Sequence, residues 1–178
     1  MSTSPFPPVR RVVTGHNAAG KSTNLVDAVQ PAQLRPGEIS PFYDLHYTGE
    51  SPPRIDSEIA HGRWVDEIQA HPHPELCSPL GSTFRCCELA PGEATPAHRT
   101  VTLDYGIVFQ GTMTLELEDG ERLTLHAGDT VVQRGTMHTW RNETTEWAKM
   151  YFVMLGANPI EINGKKLEEE LHWHKADT

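Results

Sequence analysis

From residue 83 onward, apolar and polar positions alternate in short runs: "TFRCCEL", "HRTVTLDYGIVFQ", "TMTLELE", "ERLTLHA", "TVVQ", "HTWRN" and "WAKMYFVML". Period-two alternation sends successive side chains to opposite faces of a strand, so each run reads as a half-buried strand. Asp119-Gly120, between the third and fourth runs, is a two-residue hairpin signal, and it sets Met113, Leu115 and Leu117 opposite Leu123 and Leu125. Short strands at even spacing with glycine-containing turns predict an all-β fold, a sandwich or barrel.

The first half of the chain reads differently. Residues 31–80 are rich in Pro, Gly and polar residues, and predict a segment wrapping the outside of the core with one helix over 55–70, "IDSEIAHGRWVDEIQA". Trp64, Val65 and Ile68 would form its apolar stripe. The stretch "VVTGHNAAGKST" matches the phosphate-loop pattern G-x-x-x-x-G-K-[ST] through Gly15, Gly20, Lys21 and Ser22. A phosphate loop needs a strand that delivers the turn to the N-terminus of a helix. The following "STNLVDAVQP" is interrupted by Pro31 and alternates like a short strand, and no apolar strand ending in Asp follows. The pattern therefore predicts a β-hairpin turn and no nucleotide.

Composition narrows the partners. A formal net charge of −9 with no Lys/Arg cluster argues against a nucleic-acid surface. The N-terminal "MSTSPFPPVRR" lacks the apolar core of a signal peptide, and "YFVML" is too short to span a bilayer, so a soluble, cytoplasmic protein without membrane contact is expected. Three cysteines, Cys86 and Cys87 adjacent, cannot form a fully paired framework and are expected as reduced, buried thiols.

Two blocks carry the chemistry. In "PGEATPAHRTVTLDYGIVFQG", Gly92, His98, Thr100, Asp104 and Gly111 fall at regular intervals; in "GDTVVQRGTMHTWRN", Gly128, Gly135, His138 and Asn142 do. Together they resemble the paired motifs of the cupin superfamily, G-x5-H-x-H-x3-E-x6-G and G-x5-P-x-G-x2-H-x3-N, over residues 83–156. The chain departs from the pattern at Thr100, where a second histidine is usual, at Asp104 in place of glutamate, and at Gln133-Arg134, where a proline is usual and one residue is missing before Gly135. The resemblance implies a jelly-roll barrel in one structural domain: an arm and wrapping segment over 1–82, the barrel motifs over 83–156 and an extension over 157–178. It also implies a homodimer, with the N-terminal arm pairing with a partner subunit because the leading strand has no evident mate in its own chain.

At the positions matching cupin ligands the chain offers His98, Asp104 and His138. Two histidines and a carboxylate make a facial triad suited to non-haem iron, and zinc with a water suits the same set; manganese is a further divalent candidate. Without a metal, a histidine beside Asp104 in an apolar barrel suits proton transfer, with the carboxylate fixing the tautomer and raising the imidazole pKa. Strand alternation adds Thr100, Gly106, Val108, Gln133 and Trp140 to the interior, and turns Tyr105, Arg99, Arg134 and Arg141 outward, with Arg99 alternatively bracing the barrel mouth. Gly106 would open the cavity wall, and Trp140 would either offer a flat surface to a planar ligand or pack in the core. His71 and His73 in "HPHPE" read as a loop, and His172 and His174 in "HWHK" as a solvated tail.

The segments "RRVVTGH", "HRTVTLDYGIV" and "VVQRGTMHTWRN" resemble short single-domain cupins of microbial secondary-metabolite pathways. That resemblance implies a lyase of decarboxylase, dehydratase or cyclase type, acting on an aromatic or polyketide-like acid through His98, Asp104 and His138. Two other readings of the same residues are a non-haem iron dioxygenase and a ligand-binding cupin without turnover.

Overall fold

The structure is a computed structural model and describes residues 4–35, 37–56, 62–70 and 77–172. Two five-stranded sheets make the body. One has the order β14-β5-β10-β7-β8, built from β5 (Ala97–Arg99), β7 (Thr112–Leu117), β8 (Arg122–His126), β10 (His138–Arg141) and β14 (Glu170–His172). The other has the order β3-β4-β11-β6-β9, built from β3 (Phe42–Thr48), β4 (Ser82–Leu89), β6 (Thr102–Gln110), β9 (Thr130–Arg134) and β11 (Ala148–Gly156). Their inner faces enclose Leu89, Val108, Met113, Leu115, Leu125, Trp140, Ala148 and Met150. This is the all-β sandwich that the alternation predicts, in the jelly-roll form that the cupin resemblance implies.

The β7–β8 hairpin forms as expected, with Met113 opposite Leu125 and Leu115 opposite Leu123. Gly120 takes φ 88° in its turn. "HRTVTLDYGIVFQ" is not one strand. β5 ends at Arg99 and pairs with β10, whereas β6 starts at Thr102 and pairs with β11 and β9, so the chain changes sheets at Thr100-Val101.

The N-terminal region corrects two expectations. β1 (Arg10–His16) has a mate in its own chain: it pairs antiparallel with β2 (Ser22–Val29). The glycine-rich stretch is the turn between them, with Gly20 at φ 71°. Asn17 Oδ1 accepts hydrogen bonds from the N–H groups of Ala19 and Lys21, which removes donors a phosphate would need. Of the expected helix over 55–70, the described residues hold α1 (Glu67–Ala70), with residues 62–66 ahead of it not helical. Residues 57–61 lie outside the described residues. The segment before α1 is held by Arg11, whose guanidinium binds Asp66 at 2.5 and 2.9 Å and lies 5.7 Å from the Trp64 ring centroid.

β3 lies inside the stretch read as an outer wrap, yet it forms the edge of a main sheet, with Phe42 opposite Cys87 and Asp44 opposite Arg85. The outer face of that sheet carries a second apolar cluster of Val9, Tyr43, Leu45 and Cys86. Beside it, Lys149 Nζ binds Glu88 at 2.8 Å and lies 4.7 Å from the Phe6 ring, so the N-terminal segment covers this buried ion pair. His172, read as part of a solvated tail, is exposed as expected but ends a strand, and His174 lies outside the described residues. β12 (Ile160–Ile162) and β13 (Lys165–Leu167) form a hairpin, and β14 pairs with β5, setting Leu171 opposite His98. Among the described residues no helix is long and apolar enough to cross a membrane.

Candidate active site

A cavity of about 270 Å³ opens between the two sheets. Its apolar wall is Leu89, Met113, Trp140, Met150, Phe152 and Met154; its polar wall includes His98, Thr100, Asp104, Gln133 and His138. Met-rich and aromatic surface around a few polar groups is the composition of a small-molecule pocket.

β5 and β10 are neighbours, and their register sets His138 opposite His98, with ring centroids 4.2 Å apart. Nδ1 of His98 lies 2.8 Å from the Pro96 carbonyl and Nδ1 of His138 lies 2.9 Å from the Thr136 carbonyl. A carbonyl oxygen only accepts, so each Nδ1 carries the proton and each neutral ring keeps its lone pair on Nε2. Burial pushes both imidazole pKa values down, and repulsion from His98 helps bring His138 to about 3. The expectation of a histidine whose pKa a carboxylate raises is therefore reversed: backbone carbonyls fix the tautomers, and both rings are held neutral.

Asp104 belongs to the other sheet. Its neighbour across the β6–β9 pair is Gln133, whose Nε2 donates to Asp104 Oδ2 at 3.0 Å. Burial pushes the Asp104 carboxyl up to about 6, against the pull of hydrogen bonds from Thr102 and Gln133. Thr102 Oγ1 in turn shares a 2.6 Å hydrogen bond with Thr100 Oγ1. Asp104 Oδ1, Gln133 Oε1 and the Trp140 Nε1 are buried without a protein partner, which leaves two acceptors and one donor at the cavity for a ligand to satisfy.

All of His98, Thr100, Asp104, Gln133, His138 and Trp140 line one cavity. They do not make the triad. Among the described residues, no three His, Cys, Asp or Glu side chains gather closely enough to hold a metal ion. The sheet change at Thr100-Val101 puts His98 and Asp104 on different walls, and Gln133 holds the carboxylate there. The residues present thus supply a histidine pair rather than a complete iron, zinc or manganese site.

Alternation is right for Val108, which is fully buried, and for Trp140, whose ring packs against Phe152 at 5.7 Å between centroids. Gly106 faces inward but does not open the cavity. A Cβ there would meet Val131 Cγ1 at 2.7 Å and Phe152 Cε1 at 3.0 Å, so the missing side chain makes room for Phe152, its cross-strand neighbour. Tyr105 points out as expected, whereas Arg99 is buried and ion-paired at 3.3 Å with Glu170 on β14 and at 3.6 Å with Glu118. Cys86 and Cys87 are free thiols that burial pushes up to about 12 and about 11. His71, His73 and His174 lie outside the described residues.

The sequence reading missed one wall. Arg85, Asp44, Phe42, Gln33 and Arg35 also line the cavity. Arg85 Nε donates to Asp44 Oδ1 at 2.7 Å, and Gln33 Nε2 donates to Asp44 Oδ2 at 3.2 Å. The guanidinium carbons of Arg85 and Arg35 lie 4.8 and 5.0 Å from the Phe42 ring centroid. The signal was present in "TFRCCEL": period two puts Arg85 on the same face as Cys87 and Leu89, a lone charge on an inward-facing stripe.

Comparison with known proteins agrees with this architecture. The cupin domain family model matches residues 85–154. The chain is 35% identical over 168 residues to oryzines biosynthesis cluster protein J of Aspergillus oryzae, covering 93% of each chain. It is 39% identical to phomopsin biosynthesis cluster protein C' of Diaporthe leptostromiformis, covering 88% of this chain and 83% of the relative. With cupin-domain-containing oxidoreductase fogC of Aspergillus ruber it shares 35% identity over 90% of this chain and 78% of the relative. Matched over nearly its whole length by such relatives, and folded as a two-sheet jelly roll around a histidine-bearing cavity, this chain belongs to the cupin family.

Proposed function

We propose that this cupin is a lyase that acts by proton transfer on a small aromatic or polyketide-type acid. The observation that carries this reading is an inverted pair of proton affinities in one cavity: Asp104 near 6, above His138 near 3. Between those values a carboxylic acid and a neutral imidazole coexist, which supports Asp104 as the general acid and the histidine pair as the general base.

In an elimination, an imidazole Nε2 takes the proton from a carbon next to a carbonyl, and the C–H pair becomes a C=C bond. The C–O bond on the neighbouring carbon breaks, and Asp104 gives its proton to the departing hydroxide, which leaves as water. An anionic substrate beside the imidazole raises its proton affinity during the step. The relatives named as biosynthesis cluster proteins support a small-molecule substrate.

A panel of aromatic acids carrying a β-hydroxy ketone side chain, incubated with the protein in deuterated water and followed by mass spectrometry, tests the reading. Loss of water and exchange of a carbon-bound hydrogen are expected, the first reduced at least about 100-fold in Asp104→Asn and the second retained, because the histidine pair takes that proton. Relatives named as cupin-domain-containing oxidoreductases favour a second reading, redox turnover. Substrate-dependent oxygen uptake without deuterium exchange selects that reading and overturns the lyase.

A further inference from the structure

We infer that Arg85, oriented by Asp44 and Phe42 and assisted by Arg35, is the specificity-determining residue that anchors the carboxylate of an organic acid in this cavity. The inference rests on the cavity's being the substrate site, as proposed above, and adds which end of the substrate goes where.

Arg85 is a buried cation on an otherwise apolar stripe of β4, 7% exposed at its side chain. A guanidinium carries five N–H donors in a fixed fork. Asp44 takes the Nε donor, and because Gln33 occupies its other oxygen, Asp44 does not grip the fork end-on. The Phe42 ring packs under the guanidinium, which holds its plane. Arg35 approaches the same ring, and its contact to Glu38 is a long 3.4 Å. At this end of the cavity Arg85 is paired with Asp44 through Nε alone and Arg35 with Glu38, and Glu169 lines the cavity as well, so what is on offer to a ligand is the outer end of the Arg85 fork rather than an excess of positive charge. The field of the two arginines reaches the other wall, since both help push the His98 pKa down. A carboxylate, planar and bidentate, matches an arginine fork better than a lysine or a neutral donor set.

Register places this anchor relative to the acid–base groups. Arg85 lies opposite Phe152 on β11, and Phe152 lies opposite Gly106 on β6, two residues beyond Asp104. Two strand spacings separate β4 from β6, about 10 Å. An acid held at Arg85 therefore lays its apolar body along Phe152, Met154 and Trp140 and brings its far end toward Asp104 and the histidines. A carboxylate held by arginine is stabilised as the anion, whereas loss of carbon dioxide needs that charge to leave the group. The anchored acid is retained through the reaction, which selects dehydration or cyclisation over decarboxylation.

Calorimetric titration with benzoate and cinnamate, each beside its neutral amide, tests the anchor without turnover. The parent protein is expected to bind at least one of the acids at least about tenfold more tightly than its amide, and Arg85→Gln to lose that preference. Arg35→Gln, at a side chain 31% exposed, should keep the fold and reduce the preference, so it decides the matter if Arg85→Gln does not fold. Asp104→Asn should keep the preference while losing turnover. Equal affinity for acid and amide in the parent, or a preference unchanged in both arginine variants, overturns the anchor and leaves the acid–base reading standing. Turnover unchanged in Asp104→Asn, with the preference intact, overturns the acid–base reading and leaves the anchor.

Discussion

His98 and His138 sit opposite each other on adjacent antiparallel strands, with ring centroids 4.2 Å apart and planes tilted by 55°. Each ring spends its Nδ1 proton on the carbonyl two residues upstream, Pro96 or Thr136. That repeated local bond gives both rings the same tautomer and leaves a basic Nε2 on each. Protonating one makes protonating the other harder, because two imidazolium charges at this separation in a buried site repel strongly.

Replacing His98 by Asn should raise the pKa of His138, because repulsion from His98 is the second cause of its depression. Burial is the first cause and remains, so the value should stay below that of an exposed histidine. Nitrogen-detected NMR titration of the His138 ring measures both the shift and the Nδ1–H tautomer. An unchanged titration, or a proton found on Nε2, would show that the two rings do not share the arrangement described.

Stability against pH should separate the two kinds of group by sign. Asp104 has a folded pKa raised to about 6, so its contribution is fully present below about 4, the unfolded carboxyl value, and is lost as pH rises through 6. His138 has a folded pKa lowered to about 3, so its contribution is present above about 6.5 and is lost as pH falls toward 3. The two slopes oppose each other between pH 4 and 6. Each pKa unit corresponds to about 1.4 kcal/mol, so either slope alone amounts to a few kcal/mol. Urea denaturation across this window should show stability climbing more steeply with pH in Asp104→Asn than in the parent. In His138→Asn the climb should flatten or reverse. Parallel profiles for all three proteins would remove the inverted proton affinities.

How much of this was legible depends on how local the cause is. The strands after residue 83 were readable because one face of each is buried and alternation records that directly, as in Met113 and Leu115 against Leu125. The hairpin around Gly20 was readable from the failing helix after it. Among the cavity residues, His98, Thr100, Asp104 and His138 came from the resemblance to the cupin motifs, and Gln133 and Trp140 from alternation counted around those anchors. What sequence distance hid was sheet membership: a change of sheets at Thr100-Val101 turns two residues of one run, His98 and Asp104, into opposite walls. Gly106 was misread for a related reason, since the ring that fills its space, Phe152, comes from a strand more than forty residues later. The strand 42–48 was masked by its Pro-rich neighbours, and with it the partner that explains the buried Arg85.

Replacing Thr100 by His should create metal affinity that the parent lacks the ligands for. Thr100 is 4% exposed and lines the cavity two residues from His98. In the parent its hydroxyl bonds Thr102 at 2.6 Å, a contact whose loss costs about 1 kcal/mol. An imidazole there would join two rings that already present unprotonated Nε2 atoms and whose Nδ1–H groups are anchored on carbonyls, the outer contact that orients metal-binding histidines. Three nitrogen donors hold zinc or cobalt where two and a distant carboxylate do not. Calorimetry with zinc, and the visible spectrum with cobalt, should show at least about a tenfold gain over the parent and a tetrahedral cobalt signature. Because burial holds the His98 and His138 rings neutral, their nitrogens should stay open to the metal through pH 6, and the gain should fall away only as pH drops toward 3. A folded variant with the parent's affinity would mean that position 100 does not face the histidine pair, and the cavity wall assigned to Thr100 would have to be redrawn.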